Sequence, residues 1–352
     1  MIAVLVTGTL LLALLLAVLA PALSELRWPT DVAPLNVPRD HDNAATRFAM
    51  NYRERLELSL QAPLIAALQR PGAAELALQQ GLQWCAAGAQ VGPASTVGLP
   101  LLGAGDLLLL EGSAQAHEVY AARNLRLGQG ASARAAFAEG GLRLDDGASV
   151  ARWAHGHDVV LGPQSHVGAR VSAVRSISLE AGARLLRARA PTIGAARRPA
   201  QAQAMPPRIP VHQRFAGAPG ARFDASGARW LVEGDISLPP GTEIEGDLIV
   251  HGNATFAADC RIQGSLKVHG SLALGDGCVV DGACVVVGPA KIGTQVLMAG
   301  PLVGEGQVHI GAESTIGRLD AETSVNGRLI ALEPGATVHG SIWAKVGVEA
   351  MA

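Results

Sequence analysis

Glycine recurs at every eighteenth position in the C-terminal half of this chain, and this repeat constrains the fold more than any other feature. There are two glycine rows: Gly234, Gly252, Gly270, Gly288 and Gly306, then Gly246, Gly264, Gly282 and Gly300. An apolar row follows the same period: Ile244, Ile262, Val280, Met298 and Ile316. Self-similarity at a fixed period is typical of architectures in which stacked units bury a shared core.

One repeat unit of this period fits one coil of a parallel β-helix, with three faces that each carry a short strand. Leu248 and Val250 alternate with Asp247 and Ile249, which is the pattern of a half-buried strand. Glycine is expected at the bends, where a positive φ costs it little. The sequence therefore predicts an all-β parallel β-helix with coils of about 18 residues, over residues 230–350.

The first half of the chain repeats more loosely. Apolar pairs recur at every seventeenth or eighteenth position: Leu107/Leu109, Leu125/Leu127, Leu142/Leu144, Val159/Leu161 and Ile177/Leu179. They predict a second β-helix region over residues 101–194. Residues 195–229 are rich in Pro, Ala and Arg and are predicted to be a linker.

The N-terminus predicts a transmembrane anchor at residues 1–24. Met1–Leu23 has no charged side chain, and its run IAVLVTGTLLLALLLAVLA would span roughly 30 Å as a helix. Arginines follow the run and none precedes it, so the body of the protein is expected to face the cytoplasm. The alternative is a cleaved signal peptide ending near Ala20-Pro21-Ala22, although the basic segment that usually precedes such a run is missing.

Residues 25–100 are predicted to form a helical and irregular juxtamembrane region. A helix is expected over 43–60, with Phe48, Tyr52 and Leu56 on one face. That face is expected to pack on the protein itself. The alternative is a helix lying in the membrane interface.

Composition gives little support to catalysis or to nucleic-acid binding. The net charge is −2 and charged residues make up 16% of the chain, so no basic surface is indicated. No metal or cofactor site is predicted, since the four cysteines lack metal-ligand spacing. His251 and His269 should stack as exposed turn residues, and His155 and His157 are interpreted as structural. No acid, base or nucleophile repeats along a row, so we expect no enzyme.

Three segments of the C-terminal half carry a family resemblance. They are WLVEGDISLPPGTEIEGDLIVHG, IQGSLKVHGSLALGDGCVVDG and EPGATVHGSIWAKVG, with the repeated pattern aliphatic-x-Gly-[Asp/Ser]-[Leu/Ile]. Over about a third of the chain this pattern resembles the bactofilins, which are bacterial polymer-forming cytoskeletal proteins. The resemblance implies a right-handed β-helix that polymerises end to end, lies at the inner membrane, and acts as a scaffold in cell shape or envelope organisation. The membrane run and the second repeat region depart from the usual family member.

Two other classes remain as alternatives. A left-handed hexapeptide-repeat acyltransferase also has coils of this period, and Ile292-Gly293 and Ile310-Gly311 fit its motif. Leu248, Leu266 and Val296 stand where that motif has small residues. An exported β-helix adhesin or carbohydrate-acting enzyme would require the signal-peptide interpretation.

A parallel β-helix exposes unpaired strand edges at its two ends, which invite pairing with another chain. The ends of the 230–350 domain are predicted to carry Leu231 and Ile236 at the start, and Ile342 and Trp343 at the finish. The expected partners are further copies of the chain, the membrane, and envelope or cell-wall proteins.

Overall fold

The structure is a computed structural model that describes residues 44–196, 213–218, 220–225 and 228–352. The predicted membrane anchor and residues 197–212 of the predicted linker lie outside these ranges. Within them, no helix is both long enough and apolar enough to cross a membrane. The fold is all-β, a solenoid of stacked coils with a small helical layer.

The first solenoid begins at Gln83, one coil earlier than the sequence predicts. Successive coils pair as parallel strands, so Leu101 lies beside Val119 and Val119 beside Ala136. Its strands are β1 Gln83–Cys85, β2 Ala89–Val91, β3 Thr96–Val97, β4 Leu101–Gly103, β5 Leu107–Leu109, β6 Ala114–Ala121, β7 Leu125–Leu127, β8 Ser132–Ala138, β9 Gly141–Leu144, β10 Ser149–Val150, β11 Trp153–Leu161, β12 His166–Val167, β13 Arg170–Leu179 and β14 Arg184–Ala195. The predicted apolar pairs stack in register, as in Leu107 beside Leu125.

The second solenoid confirms the repeat period. Its strands are β15 Gln213–Arg214, β16 Ala221–Asp224, β17 Arg229–Val232, β18 Ile236–Leu238, β19 Thr242–Ile244, β20 Asp247–Val250, β21 Ala254–Phe256, β22 Arg261–Ile262, β23 Leu266–Val268, β24 Leu272–Leu274, β25 Val279–Val280, β26 Cys284–Val286, β27 Ala290–Ile292, β28 Leu297–Met298, β29 Leu302–Gly304, β30 Gln307–Ile310, β31 Thr315–Ile316, β32 Thr323–Leu332 and β33 Thr337–Ala350. Ile244, Ile262 and Val280 stack in consecutive coils. Residues 213–225, predicted as linker, contribute two of these strands.

The glycine rows have a different cause from the one expected. Of the nine glycines, only Gly234 and Gly246 have a positive φ. At Gly282 an added Cβ would lie 2.6 Å from the carbonyl carbon and oxygen of Gly264 and 2.7 Å from the amide nitrogen of Ser265. The coils approach one another so closely at this corner that a methyl group does not fit.

A polar residue follows several of the corner glycines and joins neighbouring coils. Asp247 Oδ1 accepts a hydrogen bond from the Ser265 amide at 2.7 Å, and Asn253 Oδ1 accepts one from the Ser271 amide at 2.9 Å. In both cases the donor lies one coil later. This side-chain cap satisfies a backbone N–H that the bend would otherwise leave without a strand partner. It explains why Gly-[Asp/Asn/Ser] repeats.

Three helices precede the first strand: α1 Ala44–Leu60, α2 Leu64–Leu68 and α3 Ala73–Gln79. The predicted 43–60 helix is therefore confirmed. Leu56, Leu60 and Leu64 are buried against a row of outward-facing side chains on the first solenoid that includes Tyr120 and Phe137. These helices form a layer over one face of the solenoid.

The two solenoids meet at their C-terminal ends. Strand β14 pairs with β33 in antiparallel orientation over Arg184–Gly194 and Thr337–Glu349, and we call this pairing the seam. The buried apolar side chains of both solenoids form one continuous core across it. One end of each solenoid is therefore used inside the chain.

Candidate functional site: the solenoid ends

The C-terminal end of the second solenoid is closed, which corrects the prediction that Ile342 and Trp343 lie at an open end. Ile342 is fully buried and lies opposite Ala188 of β14. The Trp343 ring is partly exposed, and the Arg187 guanidinium lies 4.9 Å from its centroid. The covering strand belongs to the first solenoid, far earlier in the chain, so the repeat pattern around Ile342 carries no signal of it.

Polar contacts reinforce the seam at its edges. Arg184 forms an ion pair with Glu349 at 3.0 Å, and Arg189 forms one with Glu322. Glu322 belongs to a short loop between β31 and β32 that interrupts the repeat period. The loop therefore contributes a contact to the seam.

The N-terminal end of the second solenoid, where Leu231 and Ile236 were predicted as exposed rungs, is covered on two of its three faces. Strand β16 pairs antiparallel with β17, placing Arg222 opposite Leu231, and β15 pairs with β19. Ile236 is buried. On the third face, β18 is followed by Pro239 and Pro240, residues that lack the N–H an added strand would bind.

The remaining end, the first coil of the first solenoid over residues 83–97, is the candidate site, and we call it the open end. Within the described residues, β1, β2 and β3 pair only with the following coil, through β4, β5 and β6. The inward-facing Cys85, Ala89, Val91 and Val97 are only half-buried, whereas Leu107 and Leu109, one coil further in, are buried. The open end thus presents apolar side chains together with free strand edges.

A sequence signal for the open end exists but was missed. Between Glu75 and Asp106 the chain has no charged side chain and no histidine. Natural edge strands are usually protected by charges, prolines or a covering segment. In this stretch the only prolines are Pro93 and Pro100. A long uncharged stretch at a repeat boundary indicates an edge that is not protected against pairing.

The histidines that the sequence singles out lie in two separate parts of the fold, on β11 and at the bends of the second solenoid. The rings of His251 and His269 stack as predicted, with centroids 4.8 Å apart and planes inclined by 19°. Within the part of the chain that the structure describes, no group of three or more His, Cys, Asp or Glu side chains is arranged to hold a metal ion. His157 is exposed beside Asp158, whereas His155 is buried, because a bulge separates them on β11.

His155 lies beneath the helical layer. Its Nδ1 is hydrogen-bonded to Ser172 Oγ at 2.8 Å, and its ring lies 4.9 Å from that of Phe137. Burial lowers the pKa of His155 to about 4. Nearby, Glu139 accepts hydrogen bonds from Tyr120 and from Arg53 of α1. The contact between Arg53 and Glu139 joins the helical layer to the solenoid.

We expect His155 to make stability depend on pH. The folded-state pKa lies below the unfolded value of about 6.5, so its contribution is complete above that value and is lost as pH falls toward 4. The loss should be on the order of 2 kcal/mol by pH 5. Denaturant unfolding of the wild type, His155→Gln and His157→Gln at several pH values measures it. The part of the pH dependence due to His155 should disappear in His155→Gln and persist in His157→Gln. Equal pH profiles of stability for the wild type and His155→Gln would contradict the prediction.

Comparison of the chain with protein-family models, with curated proteins and with solved structures finds no match.

Proposed function

We propose that this protein is a membrane-tethered, bactofilin-like scaffold that self-associates through the end of its β-solenoid and organises cell shape or envelope machinery. In this proposal the solenoid is right-handed, the N-terminal run spans the bacterial inner membrane, and the soluble part faces the cytoplasm. The protein acts through binding and has no catalytic role.

The observation that carries the proposal is the open end. It combines unpaired strand edges, half-buried apolar side chains and no charge. Strand edges of this kind pair readily with another chain. Covering the end with a partner would remove on the order of a few hundred Å² of apolar surface, which favours association by several kcal/mol before its entropic cost.

The uncharged N-terminal run and the arginines that follow it support the membrane tether. A tether also favours assembly, because chains confined to a surface meet at a higher effective concentration. The sequence pattern shared with bactofilins supports the scaffolding role.

The test has two stages performed on the full-length chain. Cells are first fractionated, and the chain is expected in the membrane fraction. The protein is then solubilised in a non-ionic detergent and its mass is measured by sedimentation velocity, where a species larger than a monomer is expected. A protein that stays monomeric at tens of micromolar would exclude the scaffold, and an acyl-transfer assay with acyl-coenzyme A would then test the alternative.

A further inference from the structure

Three of the four solenoid ends differ from the open end. The two C-terminal ends cover each other in the seam. The N-terminal end of the second solenoid is covered by β15 and by the β16–β17 hairpin. Charged side chains lie around this covered end, among them Arg214, Arg222 and Glu233. The described part of the chain therefore offers one end suited to strand pairing.

From this we infer that the open end of one chain pairs with the open end of a second copy about a two-fold axis, and that assembly stops at this dimer. The inference rests on the proposed function and specifies its partner and its limit. A two-fold contact uses the same patch on both copies and leaves no further patch free. The scaffold would then be a dimeric unit and not a growing filament.

The seam indicates that a second copy fits. There, two solenoids whose coils have similar lengths meet end to end, and their last strands pair in antiparallel orientation. A two-fold axis across the open end likewise brings the strand edges of the two copies together in antiparallel orientation, in which backbone N–H and C=O groups of both copies can pair. One strand of the first coil then meets its own copy, and each of the other two meets the other's copy. The internal junction thus shows that coil ends of this kind are complementary to one another.

Charge also favours a second copy over an unrelated partner. Residues 76–105 carry no charge, so they offer no electrostatic attraction to an acidic or a basic protein. Two copies meet without repulsion at the same surface. The strands of the open end are short, with three, three and two residues, so the contact is small and dissociation in the micromolar range is expected.

Val91 provides the central test because it faces inward in the first coil and is half-buried. A charged side chain there can reach solvent through the open end of a monomer, so the coil still folds. In a dimer, the two copies would bring like charges together in a surface that excludes water. Val91→Lys and Val91→Glu are each expected to weaken the dimer at least about tenfold. Mixing the two variants is expected to restore it, because opposite charges then meet.

The measurement is sedimentation velocity of full-length protein in non-ionic detergent, with circular dichroism to verify the fold. Phe223→Lys, a half-exposed position at the covered end, is the matched control and should leave the dimer intact.

Cys85 provides a second measurement, since it is half-buried at the open end while the other three cysteines are buried. A maleimide should label Cys85 in dilute, monomeric protein and label it more slowly as the concentration rises, because the pairing of open ends covers this thiol; a rate independent of concentration would contradict the pairing.

The outcomes separate this inference from the proposed function. A monomeric wild type overturns both. Wild-type filaments overturn the dimer limit and leave the scaffold standing. Dimers that survive Val91→Lys and Val91→Glu, or a mixture of the two variants that stays monomeric, overturn the two-fold pairing of open ends. Loss of the dimer in Phe223→Lys with retention in Val91→Lys would assign assembly to the covered end.

Discussion

Replacing Ile342 with lysine is expected to disrupt the fold at the seam. The side chain is fully buried, and its neighbours on either side are Val325 of β32 and Ala188 of β14. The change removes a buried aliphatic group and places a cation between apolar rungs. Together these should cost more than about 5 kcal/mol, which is comparable with the whole stability of a typical protein.

Thermal unfolding followed by circular dichroism, together with limited proteolysis, measures this effect. The matched control is Val346→Lys, which lies on the same strand with its side chain 59% exposed and should change stability by less than about 0.5 kcal/mol. An open C-terminal end, as the sequence predicts, would give a different result. Ile342→Lys would then keep its fold and lose only its capacity to assemble. If Ile342→Lys unfolds at the same temperature as the wild type, the result would therefore argue against the seam.

Replacing Gly282 with alanine is expected to lower the free energy of unfolding by about 3 kcal/mol. The new methyl group would lie 2.6 Å from the carbonyl group of Gly264, and backbone atoms fixed in a ladder cannot rotate away as a side chain could. The two coils must separate locally, which lengthens their interstrand hydrogen bonds. This is at the upper end of the usual cost of overpacking because the obstacle is main chain.

Gly347→Ala is the matched control for Gly282→Ala. Its added Cβ would meet Leu329 Cδ1 at 3.9 Å and the Leu185 carbonyl oxygen at 4.0 Å, which are ordinary contacts. Stability should stay the same or rise slightly, because alanine reduces the freedom of the unfolded chain. The midpoint of denaturant unfolding measures the stability of both variants, provided that the dependence of the free energy of unfolding on denaturant concentration is unchanged. Equal losses in the two would show that the close approach of the coils does not explain the glycine rows.

The residues that form the coils could be predicted from the sequence. Leu248 and Val250 point inward, and Ile244, Ile262 and Val280 stack, because alternation within a strand and repetition between coils are both local properties. The cause of the glycine rows could not be predicted. A positive φ and a close approach of two coils both favour glycine, and only the φ angles of the structure and the distance between Gly282 and Gly264 distinguish them.

The sequence predicts the type of candidate site but not its location. Any repeat of this period implies that the solenoid ends offer strand edges. It does not imply which end is free. Residues 83–97 lie within the region that is predicted to be helical and irregular. Their coil has small residues such as Ala89 where the next coil has leucine, so the apolar repeat is weak there. The absence of charge from residue 76 to residue 105 was the available signal.

The sequence by itself determined the period, the inward-facing rows and the stacking of coils, since each coil contacts mainly the coil before and the coil after it. Only the tertiary structure decided which ends are covered. The seam joins β14 to β33, two strands that lie far apart in the chain, and α1 packs on outward-facing side chains that the repeat leaves unspecified. Such contacts depend on the shapes of two completed surfaces. A periodic sequence specifies how one coil follows the next, but it does not specify what its last coil meets.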